Sequence, residues 1–276
     1  MSLNENIKNK LNALITFLEE HKVILAFSGG VDSSLLAYLA KKYSKDMIAI
    51  TVESILNPGD DVSEAKKFAE LFKIPQIVLR KEALKNEKFI QNPKNRCYIC
   101  KKDIFTSILK IRDEKGFDII IDGSNVDDLG DYRPGIQALN ELNIISPYIK
   151  YDVNKQEIRA ISNYFNLPTH NKPSGACLAS RIPYEEEITE KKLLMIKQGE
   201  QFLRERFNLE QVRVRLHKGY LARIELIPQD IINIINKANL NIINQKFKSL
   251  GFCYITIDLQ GFRSGSLNEV IDAKSD

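Results

Sequence analysis

Three groups of residues in this chain have types and spacings that could do chemistry. The first is Ser28-Gly29-Gly30-Val31-Asp32-Ser33-Ser34, which follows the apolar pair Ala26-Phe27. Two adjacent glycines let a backbone come close to a phosphate without a Cβ in the way. A helix beginning just after them would offer unpaired N–H groups and the positive end of its dipole. Ser28, Ser33 and Ser34 add hydroxyl donors. The Gly-Lys-Ser/Thr ending of a Walker A loop is missing, so no lysine is expected to reach for a γ-phosphate. The second group is the cysteines. Cys97 and Cys100 form a C-x-x-C, Cys177 lies in Ser174-Gly175-Ala176-Cys177-Leu178-Ala179-Ser180-Arg181, and Cys253 opens an apolar stretch where burial is its expected role. By itself a C-x-x-C is open to zinc, redox or iron–sulfur readings. Zinc would need two further Cys or His nearby, and none follows at tight spacing. Three thiolates could hold three irons of a [4Fe–4S] cluster and leave the fourth open to an external ligand such as sulfide. The third group is the arginines. Arg213 and Arg215 alternate and would share one strand face, and Arg181 and Arg263 fall in loops. Forked guanidinium groups suit carboxylates and phosphates. The other reading is a solvated basic face paired with Glu225 or Glu210.

The elements that must position these groups can be read from periodicity. Apolar runs at Val23–Phe27, Met47–Val52, Gln76–Leu79 and Phe117–Ile121 read as buried strands, with Asn143–Ser146 as a fifth. Helical spacing recurs over Leu11–Glu20, after Asp32, and over Ser63–Phe72, Ile104–Ile111 and Lys155–Phe165. Strands alternating with helices predict an α/β fold with a parallel sheet covered on both faces, and ligands in such sheets sit beyond the carboxyl ends of the strands. That singles out residues 28–34, Glu53-Ser54 and Gly123–Asp128. Pro168, Pro173, Gly175 and Pro183 interrupt the pattern. The expected division is residues 1–168 as the α/β domain, 169–183 as a linker carrying Cys177, and 184–276 as a smaller α+β domain for substrate binding or oligomerisation.

Composition narrows the function classes. The 276 residues are 43% hydrophobic and 28% charged, ordinary for a globular protein. No apolar run is long enough for a membrane helix, and Met1–Glu20 lacks the apolar region of a secretory signal, so a cytoplasmic protein is expected. The 40 basic against 36 acidic residues leave a net charge of +4, which permits an anionic ligand without demanding nucleic acid. Cysteines in a reducing compartment favour metal or reactive sulfur over disulfides.

The loop Ser28–Ser34 resembles the SGGxDS loop of the PP-loop (N-type) ATP pyrophosphatases. The resemblance implies that the loop, Ala26 through Ser34, grips the β,γ-pyrophosphate of ATP, that Asp32 helps place Mg²⁺, and that ATP is cleaved to AMP and pyrophosphate. It also implies that Val52 and Ser54 lie near the adenine and that Gly123, Ser124 and Asn125 face the nucleotide. Taken with Asp131-Tyr132-Arg133-Pro134-Gly135, Ala176–Tyr184, Val212–Arg215, Ala222–Leu226 and Asp258–Gly265, the chain resembles the LarE family of ATP-dependent sulfur transferases. That family adenylates carboxylates of a pyridinium-3,5-biscarboxylic acid mononucleotide and replaces AMP by sulfur, in nickel-pincer nucleotide biosynthesis. The resemblance implies Cys177 and Asp32 as catalytic residues. Arg133, Arg181, Arg213, Arg215 and Arg263 are candidate binders of the mononucleotide. Some members sacrifice the sulfur of the linker cysteine. The added Cys97 and Cys100 instead match cluster-bearing members, so Cys97, Cys100 and Cys177 are expected to hold a [4Fe–4S] cluster. Its open iron would carry the sulfur from sulfide or another donor. A homo-oligomer is expected as well. The competing readings are a PP-loop tRNA thiolase, which would usually leave a basic stripe or a second C-x-x-C, an amidating PP-loop synthetase fed by a separate glutaminase, and a non-catalytic nucleotide sensor that binds ATP without releasing pyrophosphate.

Overall fold

The computed structural model describes residues 3–130, 134–173, 175–263, 265–267 and 269. In chain order the elements are α1 (Glu5–Glu19), β1 (Lys22–Ala26), α2 (Val31–Tyr43), β2 (Asp46–Glu53), α3 (Asp61–Leu71), β3 (Gln76–Arg80), α4 (Glu87–Ile90), α5 (Arg96–Lys115), β4 (Ile119–Ile121), α6 (Pro134–Glu141), α7 (Pro147–Lys150), α8 (Lys155–Tyr164), α9 (Glu190–Phe207), β5 (Val212–His217), β6 (Leu221–Leu226), α10 (Pro228–Ile234), α11 (Lys237–Leu250) and β7 (Tyr254–Ile257). They fall into two compact units. One comprises Met1–Ser54, Asp60–Lys81 and Asn95–Ser174. The other comprises Ile55–Gly59, Glu82–Lys94 and Gly175–Asp276.

The first unit is the expected parallel α/β sheet, in the order β3-β2-β1-β4. Strand β1 is central because its sequence, Lys-Val-Ile-Leu-Ala, is apolar on both faces. Val23 and Leu25 enter one core with Leu35, Leu36 and Ala40 of α2. Ile24, between them, enters the other core with Phe105 and Ile108 of α5 and Leu139 of α6. Side chains alternate along a strand, so a continuous apolar run is what a sheet covered on both faces requires. Full burial of each such side chain stabilises the fold by roughly 1.5–3 kcal/mol. The expected fifth strand is reduced to one parallel bridge, Ile121 to Ile145. Asn143 takes a left-handed φ of 53° after α6, and Pro147 starts α7, so little extended chain is left to pair. Helix α5 begins at Arg96, two turns before the expected Ile104. Its first turns carry few apolar residues, so periodicity was blind to them.

The second unit has a three-stranded sheet, β5-β6-β7, antiparallel between β5 and β6 and parallel between β6 and β7. Helix α9 packs on β5. The segment bearing Cys177 is fixed inside this unit. Leu178 N–H donates to the Leu56 carbonyl at 2.8 Å, and Ile188 N–H to the Ile90 carbonyl at 2.8 Å. The Asn92 side-chain amide donates to the carbonyls of Pro183 (2.7 Å) and Glu186 (3.0 Å). Among the described residues no helix is long and apolar enough to cross a membrane.

Candidate active site

Order β3-β2-β1-β4 makes chain direction diverge at β1, and the carboxyl ends of β1 and β4 form the crevice where such sheets bind ligands. The loop after β1 occupies it. Gly29 has φ +72°, and a Cβ there would lie 3.0 Å from the Ala65 Cβ of α3, so only glycine fits. Ser28 and Ser33 hydroxyls are 3.0 Å apart, and the Ser33 hydroxyl also donates to the Gly30 carbonyl at 3.3 Å. These bonds curl the loop over the first turn of α2. Gly123, after β4, presses on the same turn: a Cβ there would meet Ser33 N at 3.2 Å and Asp32 Cβ at 3.3 Å. The expected nucleotide residues therefore gather in one unit. Ala26 ends β1 beside Ile50. Phe27 is anchored by the Ile50 carbonyl, to which its N–H donates at 2.8 Å, and by Thr51, whose hydroxyl donates to the Phe27 carbonyl at 2.8 Å. Val31 and Ser34 are buried in α2. Val52 and Ser54 lie at the carboxyl end of β2, along the same edge. Ser124 donates to Asp122 Oδ2 at 2.6 Å, and Asn125 Oδ1 accepts from Asp127 N–H at 3.0 Å.

Two residues that sequence reading missed reach this loop from far downstream. Lys155 Nζ is 2.5 Å from Asp32 Oδ2. Lys172 Nζ donates to the Gly29 carbonyl at 2.9 Å and is 2.6 Å from Glu64 Oε2. Neither lies in a motif, and only the tertiary fold joins them to residues more than a hundred positions earlier. Burial holds the Asp32 carboxyl above its ordinary value, the Lys155 charge offsetting only part of that rise. Asp32 Oδ1 is buried with no hydrogen-bond partner. A hard, unused carboxylate oxygen beside an anion-binding loop fits Mg²⁺.

The cysteines are divided between the units. Cys97 is exposed and Cys100 half-buried. They lie three apart on the first turn of α5 and so share a face. Cys177, exposed, belongs to the second unit, immediately before a short turn, Leu178–Arg181. The expected three-thiolate set draws no support from the structure: among the described residues no group of three Cys, His, Asp or Glu that could hold a metal is found. Cys97 and Cys100, two thiols on one helical turn, fit as a pair of ligands. The expected burial of Cys253 is corrected: its thiol is exposed, because Phe252 takes the inward position (2% exposed) and the next residue points out.

The arginines of the second unit are not a solvated face. Arg181, Arg213 and Arg215 are 2%, 6% and 2% exposed. Arg181 donates to Glu200 Oε1 at 2.8 Å, to the Ala176 carbonyl at 2.7 Å and to the Cys177 carbonyl at 3.2 Å. Arg215 donates to the Ser180 carbonyl at 2.7 Å and Glu225 Oε2 at 2.8 Å. Both shape the backbone around Cys177. Glu200 also accepts from Arg204 at 3.0 Å and from Val214 N–H at 3.1 Å. Burial would raise its pKa, but the charges of Arg181 and Arg204 and these hydrogen bonds leave it below the ordinary value. Arg213 differs. It is in register with Glu225, but that carboxylate is already engaged by Arg215, by the Ser266 hydroxyl at 2.6 Å and by Arg223 at 3.1 Å. Among the described residues Arg213 has no carboxylate partner. Its Nε is buried without a hydrogen bond, and its guanidinium stacks 4.9 Å from the Phe262 ring centre. Burial and the like charges of Arg181 and Arg215 pull it down to about 10. Arg263 pairs with Asp258 at 3.3 Å and Glu269 at 2.9 Å. Arg133 lies outside the described residues.

Comparison with known proteins follows the same lines. Residues 3–94 match the family described as NAD synthase. An uncharacterized protein of Synechocystis is 39% identical over 96% of this chain and 99% of its own length. The pyridinium-3,5-bisthiocarboxylic acid mononucleotide synthase of Lactiplantibacillus plantarum is 30% identical over 96% of both chains. A tRNA-specific 2-thiouridylase of Desulforamulus reducens is 27% identical, over 65% of this chain and 61% of its own. The thiouridylase likeness stops well short of the chain's length. The synthase likeness runs through the loop of the first unit and the arginine-lined sheet of the second, and on that footing the chain belongs to the LarE family of PP-loop proteins.

Proposed function

We propose that this chain is an ATP-dependent sulfur transferase that converts carboxylates of a pyridinium-3,5-biscarboxylic acid mononucleotide into thiocarboxylates. The observation that carries the reading is the end-to-end likeness to the L. plantarum synthase. The SGGxDS loop, curled for an anion at the head of β1, supports it. A carboxylate is a poor electrophile because its leaving group would be oxide. Its oxygen attacks the α-phosphorus of ATP, pyrophosphate leaves, and the resulting acyl adenylate has AMP as a good leaving group. Sulfur then attacks the acyl carbon and AMP departs. The loop amides and the Ser28 and Ser33 hydroxyls are suited to the β,γ-phosphates. Mg²⁺, held by Asp32 Oδ1, would neutralise charge on the departing pyrophosphate. Arg213 is a buried cation without a carboxylate partner among the described residues, as expected of a group reserved for an anionic substrate. Cys177 is the candidate sulfur-bearing residue, its backbone held by Arg181. A [4Fe–4S] cluster on Cys97, Cys100 and Cys177, its open iron carrying the sulfur, rests on cysteine spacing and on the resemblance to cluster-bearing members of the family, and the steps above call on no iron.

Incubation with Mg²⁺-ATP, the biscarboxylate and sulfide should yield AMP, pyrophosphate and a thiocarboxylate detectable by mass. ADP and phosphate as the main products, or thiolation of bulk tRNA in its place, would overturn the proposal. Anaerobic iron and sulfide analysis decides how sulfur is carried. About four irons per chain, lost in Cys97→Ala, Cys100→Ala and Cys177→Ala but kept in Cys253→Ala, would establish the cluster. Iron-free protein that turns over once and becomes lighter by one H₂S at Cys177 would establish a consumed cysteine.

A further inference from the structure

The loop Ser28–Ser34 supplies hydroxyls and amides but no cation of its own, although a bound pyrophosphate would bring several negative charges. Two cations among the described residues, Lys155 and Lys172, reach the loop, and they come from one stretch of the first unit. Lys155 is the first residue of α8, and its ammonium lies on Asp32. Lys172 lies on the Gly29 carbonyl and Glu64, with Asp61 at 4.0 Å. Arg159, one turn along α8 from Lys155, donates to the His170 carbonyl at 2.6 Å and to the Lys172 carbonyl at 2.9 Å. One guanidinium thus ties the backbone of Lys172 to the helix that carries Lys155.

Partial exposure distinguishes these pairs from structural ones. The side chains of Lys155 and Asp32 are 28% and 24% exposed, and those of Lys172 and Glu64 are 23% and 53% exposed. Ion pairs at such a solvent edge add little to stability, so changing partners costs little. Asp32 has a second oxygen unused and can leave Lys155 for a metal ion. The Gly29 carbonyl under Lys172 belongs to the loop itself, so that ammonium already stands at the rim where phosphate oxygens would sit.

We propose that Lys155 and Lys172 are the cationic half of the pyrophosphate site. On ATP binding each exchanges its carboxylate for oxygens of the β,γ-phosphates, with Arg159 as the positioning residue that keeps the two in step. The proposal rests on the sulfur-transferase reading only in taking ATP as the nucleotide.

Equilibrium titration separates the two readings because it needs no turnover. Mg²⁺-pyrophosphate and AMP are titrated separately into the full-length wild type and into Lys155→Gln, Lys172→Gln and Arg159→Ala, with Lys41→Ala as the control. Each lysine variant should bind pyrophosphate about ten- to a hundredfold more weakly, the loss of one charge-assisted contact, and AMP within about twofold of the wild type. Arg159→Ala should show the same split to a smaller degree, and Lys155→Arg should restore much of the affinity. Pyrophosphate binding unchanged in both lysine variants, or lost in parallel with AMP binding, would overturn the proposal. Should a variant fail to fold, amine acetylation of the wild type answers the same question. Mg²⁺-pyrophosphate should protect Lys155 and Lys172, AMP should not, and equal labelling with and without pyrophosphate would refute the assignment. Absence of thiocarboxylate in turnover assays would defeat the sulfur-transferase reading and leave these results standing.

Discussion

Arg213 and Arg181 are both buried guanidinium groups in one unit, yet opposite consequences follow from removing them. Arg181 neutralises Glu200, which is 1% exposed. Arg213 neutralises nothing among the described residues. A buried charge without a partner is costly to the fold and is kept for what it binds. Arg213→Met should therefore leave the melting temperature unchanged or raise it, while weakening affinity for the mononucleotide by about tenfold or more, the worth of a charge-assisted hydrogen bond. ATP affinity, measured in parallel, should not move. A fall in melting temperature with unaltered substrate affinity would show Arg213 to be a packing residue. Its stacking on Phe262 supports the guanidinium plane on one side and leaves the polar edge for a ligand.

At the scale of elements, Glu200 is the tie between α9, β5 and the Cys177 segment, through Arg181, Arg204 and the Val214 amide. Breaking a buried ion pair by removing one partner typically costs about 3–5 kcal/mol. Glu200→Gln should approach that loss, because Arg181 would keep its charge and lose its counter-charge. The pH dependence has a definite sign. Glu200 is held below its ordinary value in the fold, so its contribution is complete above the unfolded-state value of about 4.3. That contribution is lost as the pH falls through the lower, folded-state value. Urea midpoints measured from pH 7 down to pH 3 should fall more steeply for wild type than for Glu200→Gln. Parallel acid limbs would mean that other carboxylates govern acid unfolding.

At the scale of the whole molecule, chain order and spatial order differ. Residues 55–59 and 82–94 directly follow β2 and β3, yet they belong to the unit built mainly from Gly175 onward. They bury Leu56 and Phe89, 6% and 3% exposed, and supply the Leu56 and Ile90 carbonyls and the Asn92 side chain that hold residues 178–188. A fragment ending at residue 174 would strand these segments. It should bind an apolar dye and melt with less cooperativity than the full chain, even though its parallel sheet is complete. A fragment that melts sharply, with Leu56 and Phe89 protected from solvent, would show that the two insertions fold without their partners.

The sequence by itself determined the parallel sheet, the nucleotide loop and the elements that deliver them, because these depend on local pattern. A continuous apolar run dictates a two-faced strand, and two glycines between strand and helix dictate an anion-binding turn. Four strands of the first unit and the α+β make-up of the second were readable for that reason. So was the LarE resemblance, which rests on motifs spread from Ala26 to Gly265. Tertiary structure alone decided who partners whom. Arg213 and Arg215 look identical in an alternating strand. Arg213 lies opposite Glu225, yet that carboxylate takes Arg215 and Ser266, and Arg215 also reaches Ser180, so among the described residues one arginine has internal partners and the other has no carboxylate. Lys155 and Lys172 carry no mark in the sequence, because lysines are common and the residues they meet are more than a hundred positions away. The start of α5 at Arg96 escaped periodicity because its first turns carry few apolar residues, and that start is what sets Cys97 and Cys100 on one helical face. Long-range contacts depend on the path of the whole backbone, and no local pattern encodes that path.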